Sequence, residues 1–159
     1  MPKRDSTSLT LKRVFKAPAE KVFAAWTRPE ALKLWFGPAD DLTVPLAETD
    51  LRVGGRYRII ARMANGDEHR VGGVYREIVP DRKLVFTWAW ESTPERESLV
   101  TVEIEPVGEG CRLTLTHERF QDETTRDRHR YGWTGSLDKL ERLLAGKLQQ
   151  EAPISGGST

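Results

Sequence analysis

FKAPAEKVFAAWTRPEALKLWFGP, residues 15–38, packs two helix openings into one short stretch. Pro18 suits the first position of a helix, and Glu20 puts a carboxylate in the first turn, where the amino-terminal dipole favours it. Val22, Phe23 and Trp26 follow as one apolar stripe. Pro29 and Glu30 repeat the opening, and Leu32, Trp35 and Phe36 repeat the stripe. Gly37 is a natural carboxy-terminal cap, and Pro38 bars continuation. Neither helix is long enough to make a core alone, yet both carry bulky apolar side chains. They are built to cover something larger.

Working outward, residues 8–15 alternate, with Leu9 and Leu11 on one face and Val14 out of phase by one, which predicts a strand. Downstream, from 43 to 118, the period is two. Tyr57, Ile59, Ala61 and Met63 make an apolar face; Arg56, Arg58, Ile60 and Arg62 make a mostly basic one. Asn65-Gly66 supplies a two-residue hairpin signal. A strand over 71–79 meets a turn at Pro80-Asp81, and LVFTWAW (84–90) then sets Leu84, Phe86, Trp88 and Trp90 on one side. The stretch 92–95, with Pro94, reads as a mobile hairpin tip. Val100, Val102 and Ile104 alternate, Gly108-Glu109-Gly110 turns the chain, and Leu113, Leu115 and His117 alternate again. These are six antiparallel strands, with about one turn signal per dozen residues. From near Asp122 the helical period returns, with Trp133, Leu137, Leu140 and Leu144 on one face.

The order β-α-α-β6-α predicts an α+β fold. A curved antiparallel sheet of six to seven strands wraps a long carboxy-terminal helix, with the two short helices after strand 1. Such a sheet encloses more space than one helix fills. Trp35 and Phe36 are therefore expected as a lid over the gap, facing the long helix near 128–136. One domain is expected over 8–148, with flexible termini at 1–7 and 151–159.

Composition narrows the function. The 159 residues carry 25 basic and 24 acidic side chains, a formal charge of +1, so nothing draws the chain to nucleic acid or an anionic membrane. No apolar run reaches about 18 residues, and the amino terminus lacks the apolar region of a signal peptide. The single cysteine, Cys111, excludes an internal disulfide and suits a reducing, cytoplasmic setting.

The usual catalytic and phosphate-binding motifs are missing, so the expectation is no catalytic residue, no cofactor and no metal. His69, His117 and His129 share no metal-ligand spacing. Gly54-Gly55 and Gly72-Gly73 lack a strand-loop-helix context and read as a tight turn and a strand bulge. His117 continues the inward series of Leu113 and Leu115; it is a satisfied structural imidazole, or else a group that bonds a ligand oxygen or acts as a base. Tyr57, Trp88 and Trp90 line a pocket or are plain core, since alternation gives faces but not which face is inside. Arg56, Arg58, Arg62, Arg70 and Arg76 read as a solvated sheet face. Gly132, inside the last helix, reads as a close-packing position or a close approach to a ligand.

Four stretches in order carry a resemblance: FKAPAEKVFAAWTRPEALKLWFGP (15–38), DLRVGGRYRI (50–59), GGVYREIVPDRKLVFTW (72–88) and GWTGSLDKLERLL (132–144). Together they resemble homologues of the activator of heat-shock protein 90 ATPase, specifically that activator's carboxy-terminal domain. That family sits in the START and Bet v 1-like (SRPBCC) helix-grip superfamily. The resemblance implies a hydrophobic cavity between sheet and long helix. On the faces read above, its candidate lining is Trp35, Phe36, Tyr57, Ile59 and Met63, together with Trp88, Trp90, His117, Trp133 and Leu137.

Function follows less directly, because this superfamily hosts lipid carriers, aromatic-polyketide cyclases, hormone receptors and co-chaperones. The leading expectation is a non-catalytic protein that binds a small apolar or amphipathic ligand. The alternatives are a co-chaperone or other interaction module acting on heat-shock protein 90, and a polyketide-cyclase-like enzyme using His117 or a tyrosine. Few ionisable groups lie on the apolar faces, which leans against the enzyme. The eukaryotic activator grips the chaperone with a separate amino-terminal domain, for which these residues leave no room. Exposed strand edges or the Trp35 region suggest a homodimer.

Overall fold

The computed structural model describes residues 7–146; apart from Thr7, the termini expected to be flexible lie outside the described residues. The chain runs β1 (Leu9–Phe15), α1 (Ala19–Thr27), α2 (Pro29–Trp35), β2 (Thr43–Thr49) and β3 (Arg56–Arg62). It continues through β4 (Glu68–Val79), β5 (Lys83–Trp90), β6 (Ser98–Val107) and β7 (Gly110–Glu118) to α3 (Glu123–Leu144). Among the described residues seven strands form one antiparallel sheet in the order β1-β7-β6-β5-β4-β3-β2. The two short helices carry the chain from one edge of the sheet to the other. The long helix closes its apolar face, in the expected helix-grip arrangement.

Alternation sets the inner face. Tyr57, Ile59 and Ala61 are buried on β3, as are Val100, Val102 and Ile104 on β6 and Leu113, Leu115 and His117 on β7. On β1 Val14, out of phase with Leu9, is 57% exposed, and Phe15, in phase with Leu9, is buried. Pairing decides this, because Leu9 opposes His117 and Phe15 opposes Cys111 on the buried strand β7. The arginine face of β3 and β4 is solvated and paired: Arg58 meets Glu91 at 2.6 Å, and Glu68 meets both Arg62 at 2.7 Å and Arg70 at 2.8 Å.

Two local expectations shift. Pro18 is the residue capping α1 rather than its first helical residue. The β3–β4 hairpin has a longer loop than a two-residue Asn-Gly turn. The Gly66 N–H donates to the Met63 carbonyl at 2.9 Å, and Gly66 takes φ +97°. Asn65 is not among the non-glycine residues of positive φ, so the turn centres on Ala64 and Asn65 and ends on a left-handed glycine.

The helix α3 is fixed at both ends. At its start the Asp122 side chain accepts the Thr125 N–H at 2.8 Å, a side-chain cap for a free helix amide. Further along, Trp133, Leu137, Leu140 and Leu144 are buried, as their spacing requires. Arg13 on β1 binds Asp138 at 2.7 Å.

The segment after α2 is clamped to the same helix. The Gly37 N–H donates to Ser136 Oγ at 3.0 Å, and Lys139 Nζ donates to the carbonyls of Phe36 at 3.3 Å and Ala39 at 3.0 Å. Gly135 makes this approach possible, since a Cβ there would lie 2.5 Å from the Pro38 carbonyl oxygen. Gly132, expected as a close-packing position, is not one: a Cβ there would meet nothing within 4 Å.

Candidate functional site

Between the sheet and the first half of α3 lies a cleft of about 1410 Å³. Its apolar wall is assembled from distant parts of the chain. Phe36 comes from the end of α2, Ala61 and Met63 from β3 and just beyond it, Trp88 and Trp90 from β5, and Trp133 from α3, with Phe120 closing one side. Trp88 is the hub. Its ring lies 5.1 Å from Trp133, 5.4 Å from Trp90 and 6.1 Å from Phe36. The rim is charged, with Glu95, Arg96 and Glu97 from the β5–β6 hairpin, Arg119 after β7, and Arg128 on α3. Arg119 sits at φ +71°, a left-handed turn that ends β7 and brings Phe120 back to the wall.

A small inner pocket, about 20 Å³, lies behind this wall. Phe36, Trp88 and Trp133 border both spaces. Trp26, Trp35, Tyr57, Ile59 and Phe86 line only the inner one.

The ten candidate lining residues therefore separate. Phe36, Met63, Trp88, Trp90 and Trp133 stand on the cleft, while Trp35, Tyr57 and Ile59 stand on the inner pocket. His117 and Leu137 border neither and are fully buried. The lid reading of Trp35 does not hold. Trp35 is 0% exposed, its indole N–H donates to the Ala25 carbonyl at 2.9 Å, and its ring meets Trp26 edge-on at 4.7 Å. The helix α2 ends at Trp35 and Phe36 is extended, so adjacent side chains part: Trp35 goes into the core and Phe36 reaches the cleft.

Two histidines brace the cleft wall, His117 from behind it and His129 from within its lining. An indole can only donate a hydrogen bond, so the N–H of Trp133, 2.9 Å from His117 Nδ1, makes that nitrogen an acceptor. The proton of His117 is thus on Nε2, which donates to Ser98 Oγ at 2.7 Å, and Ser98 donates onward to the Trp88 carbonyl at 3.2 Å. His129 has the opposite tautomer. Its Nε2 accepts from the Trp90 indole at 3.0 Å, and its Nδ1–H donates to the Thr125 carbonyl at 2.8 Å. Phe120 lies against both imidazoles, at 4.2 Å and 4.8 Å.

Burial holds His117 well below its ordinary value, with His129 adding to the effect, and burial lowers His129 too, against its bond to Thr125. With both nitrogens engaged, His117 is placed as a brace for Trp133 and Trp88 and has no lone pair free for a substrate proton. Among the described residues no three His, Cys, Asp or Glu side chains gather as metal ligands, and no helix is long and apolar enough to cross a membrane.

Sequence reasoning missed Phe120, Ser98, Ser136 and Lys139, and placed His129 near the start of the long helix without joining it to the cleft. His129 did carry a signal: it lies four residues before Trp133, on the same helix face. Phe120 carried none, because it falls beyond the alternation of β7.

The comparisons agree with the fold. The family model described as Activator of Hsp90 ATPase homolog 1-like protein matches residues 16–145. Among solved structures, the AHSA1 protein from Silicibacter pomeroyi is 34% identical, over 88% of this chain and 99% of its own, with a TM-score of 0.77. A protein from Chromobacterium violaceum is 30% identical, over 91% of this chain and 98% of its own, with a TM-score of 0.80. CalU16 from Micromonospora echinospora, 24% identical over 91% of this chain and 77% of its own, shares the fold with a TM-score of 0.65. A search of the curated proteins finds no match.

Proposed function

Because this chain belongs to the Activator of Hsp90 ATPase homolog 1-like family, we propose that its working part is the cleft, as a non-catalytic site for one small hydrophobic or amphipathic molecule. The observation that carries this reading is the cleft's division into an aromatic wall and a charged rim. Phe36, Trp88, Trp90 and Trp133 offer flat apolar surface, and Arg96, Arg119 and Arg128 at the rim suit a polar end. Ligand sites are commonly built this way, mostly apolar with a few polar groups that orient the guest. The occupied nitrogens of His117 weigh against a cyclase-like enzyme.

Native mass spectrometry of protein isolated from its own host tests the reading. The expected result is a co-purifying small molecule that is released on denaturation. Protein that emerges empty, and that also binds no aromatic probe, would contradict it. The family description favours a second reading, stimulation of the ATPase of heat-shock protein 90, and no stimulation at saturating concentration would remove it.

A further inference from the structure

The bond between the Trp90 indole and His129 joins the two walls of the cleft. Trp90 ends β5, His129 stands on the second turn of α3, and both line the cleft. His129 Nε2 accepts the indole N–H at 3.0 Å, and its Nδ1–H donates to the Thr125 carbonyl at 2.8 Å. The imidazole therefore ties the sheet wall to the first turn of the helix. It does so only while neutral, since an imidazolium carries N–H on both nitrogens and would set donor against donor. His117 makes a matching bond to Trp133, but it is 0% exposed and does not border the cleft. His129 is only half-buried and sits in the lining, where solvent protons reach it.

We propose that His129 is a pH gate on the cleft: neutral, it holds Trp90 in the apolar wall; protonated, it releases Trp90 and lowers the affinity for an apolar guest. The inference rests on the cleft being a ligand site and adds what controls it. Protonation acts twice. It removes the acceptor that anchors Trp90, whose other ring contacts are Trp88 at 5.4 Å and His69 at 6.0 Å. It also puts a charge in the wall, whose water an apolar guest would have to displace.

The surroundings of His129 favour the neutral form. β5 presents Trp88 and Trp90, β7 presents the His117 ring at 5.2 Å, and Phe120 beyond β7 lies at 4.8 Å. Arg128 on its own helix, Arg119 after β7 and Arg96 on the β5–β6 hairpin share the cleft. Of the carboxylates in the lining, Glu68 is held by Arg62 and Arg70, and Glu91 by Arg58. Glu95 and Glu97 stand on the rim, and among the described residues no carboxylate pairs with His129. Burial lowers His129 against its bond to Thr125, so the release falls in mild acid.

N-phenyl-1-naphthylamine is a neutral fluorescent probe and reads the gate without a charge of its own. Titrated into the full-length protein, it should bind with level affinity between about pH 8 and 7. By about pH 5 binding should be about fivefold weaker, with a limiting slope of about tenfold per pH unit. Near-UV circular dichroism should stay native over the same range. His129→Gln keeps an acceptor for Trp90 and a donor for Thr125 without titrating, and should flatten the profile; His69→Gln should not. Reciprocity gives a readout that needs no variant: by NMR, saturating probe should lower further the pH at which the His129 ring titrates. A flat wild-type profile, or an unmoved His129 titration, would overturn the inference and leave the cleft reading standing. So would a pH dependence that survives in His129→Gln, or a loss of binding that only tracks loss of the circular dichroism signal. No binding at about pH 7.5 would remove the cleft reading and the inference with it.

Discussion

Trp133 Nε1 lies 2.9 Å from His117 Nδ1, and that single bond sets the protonation state of a residue at the heart of the domain. An imidazolium would present N–H groups on both nitrogens, and one would then face the indole donor. His129 is under the same constraint from Trp90. The two bonds tie the cleft wall to neutral imidazoles.

Stability should therefore fall in mild acid. Burial lowers both histidines in the folded state, while the unfolded chain titrates near about 6.5. Below that value the unfolded chain holds more protons, so stability is full above about pH 7 and is lost as the pH drops through 6.5. Each histidine contributes a slope of up to about 1.4 kcal/mol per pH unit. Glu68 and Glu91 are held below the usual carboxylate range by their arginines and act only at lower pH. Urea unfolding between pH 8 and 5 checks this; a flat profile would contradict it.

Trp35→Ala should behave as a deep core truncation. The ring is fully buried and its N–H is bonded to Ala25, so the loss should be about 3–5 kcal/mol by denaturant titration. A cost below about 2 kcal/mol would revive the lid reading.

Lys139 is 5% exposed, and its amine donates to two backbone carbonyls. Lys139→Met keeps the stem but strands the Phe36 and Ala39 carbonyls, at a cost of about 1–3 kcal/mol. Hydrogen exchange of the neighbouring Gly37 amide should speed up. Unchanged exchange would show that the clamp does not depend on this lysine.

The glycines of α3 should diverge. Gly132→Ala adds a methyl to open space and removes a helix penalty, so a gain of up to about 1 kcal/mol is expected. Gly135→Ala drives a methyl into the Pro38 backbone and should lose about 1–3 kcal/mol. Thermal unfolding of the two variants, measured side by side, reads the difference. Equal shifts would contradict the packing described.

The elements were legible in the sequence because each has one period and one buried face. Tyr57, Val100 and Leu113 fell on the inner face because strands alternate, and Trp133 and Leu137 because helices repeat. The site was less legible because its partners are joined across the chain. Trp90 reaches His129 and Gly37 reaches Ser136 through tertiary packing that no local pattern records. Trp35 and Phe36 are neighbours in sequence, yet one became core and the other cleft wall, because the helix ends between them and Phe36 is extended. The hairpin at Asn65 shows the same limit on a smaller scale: the residues marked a turn correctly, and the ladder on either side set its length.

The central claim, that the cleft is a site for a small hydrophobic or amphipathic molecule, is tested most directly by blocking it. A side chain grafted at Gly132 has open space before it and borders the cleft, so Gly132→Trp should fill the site without disturbing the core. Titration with the dye anilinonaphthalene sulfonate should show saturable binding to the wild type. The Gly132→Trp protein, equally stable to heat, should lose at least tenfold in affinity. Undiminished dye binding by a fully folded Gly132→Trp protein would contradict the claim.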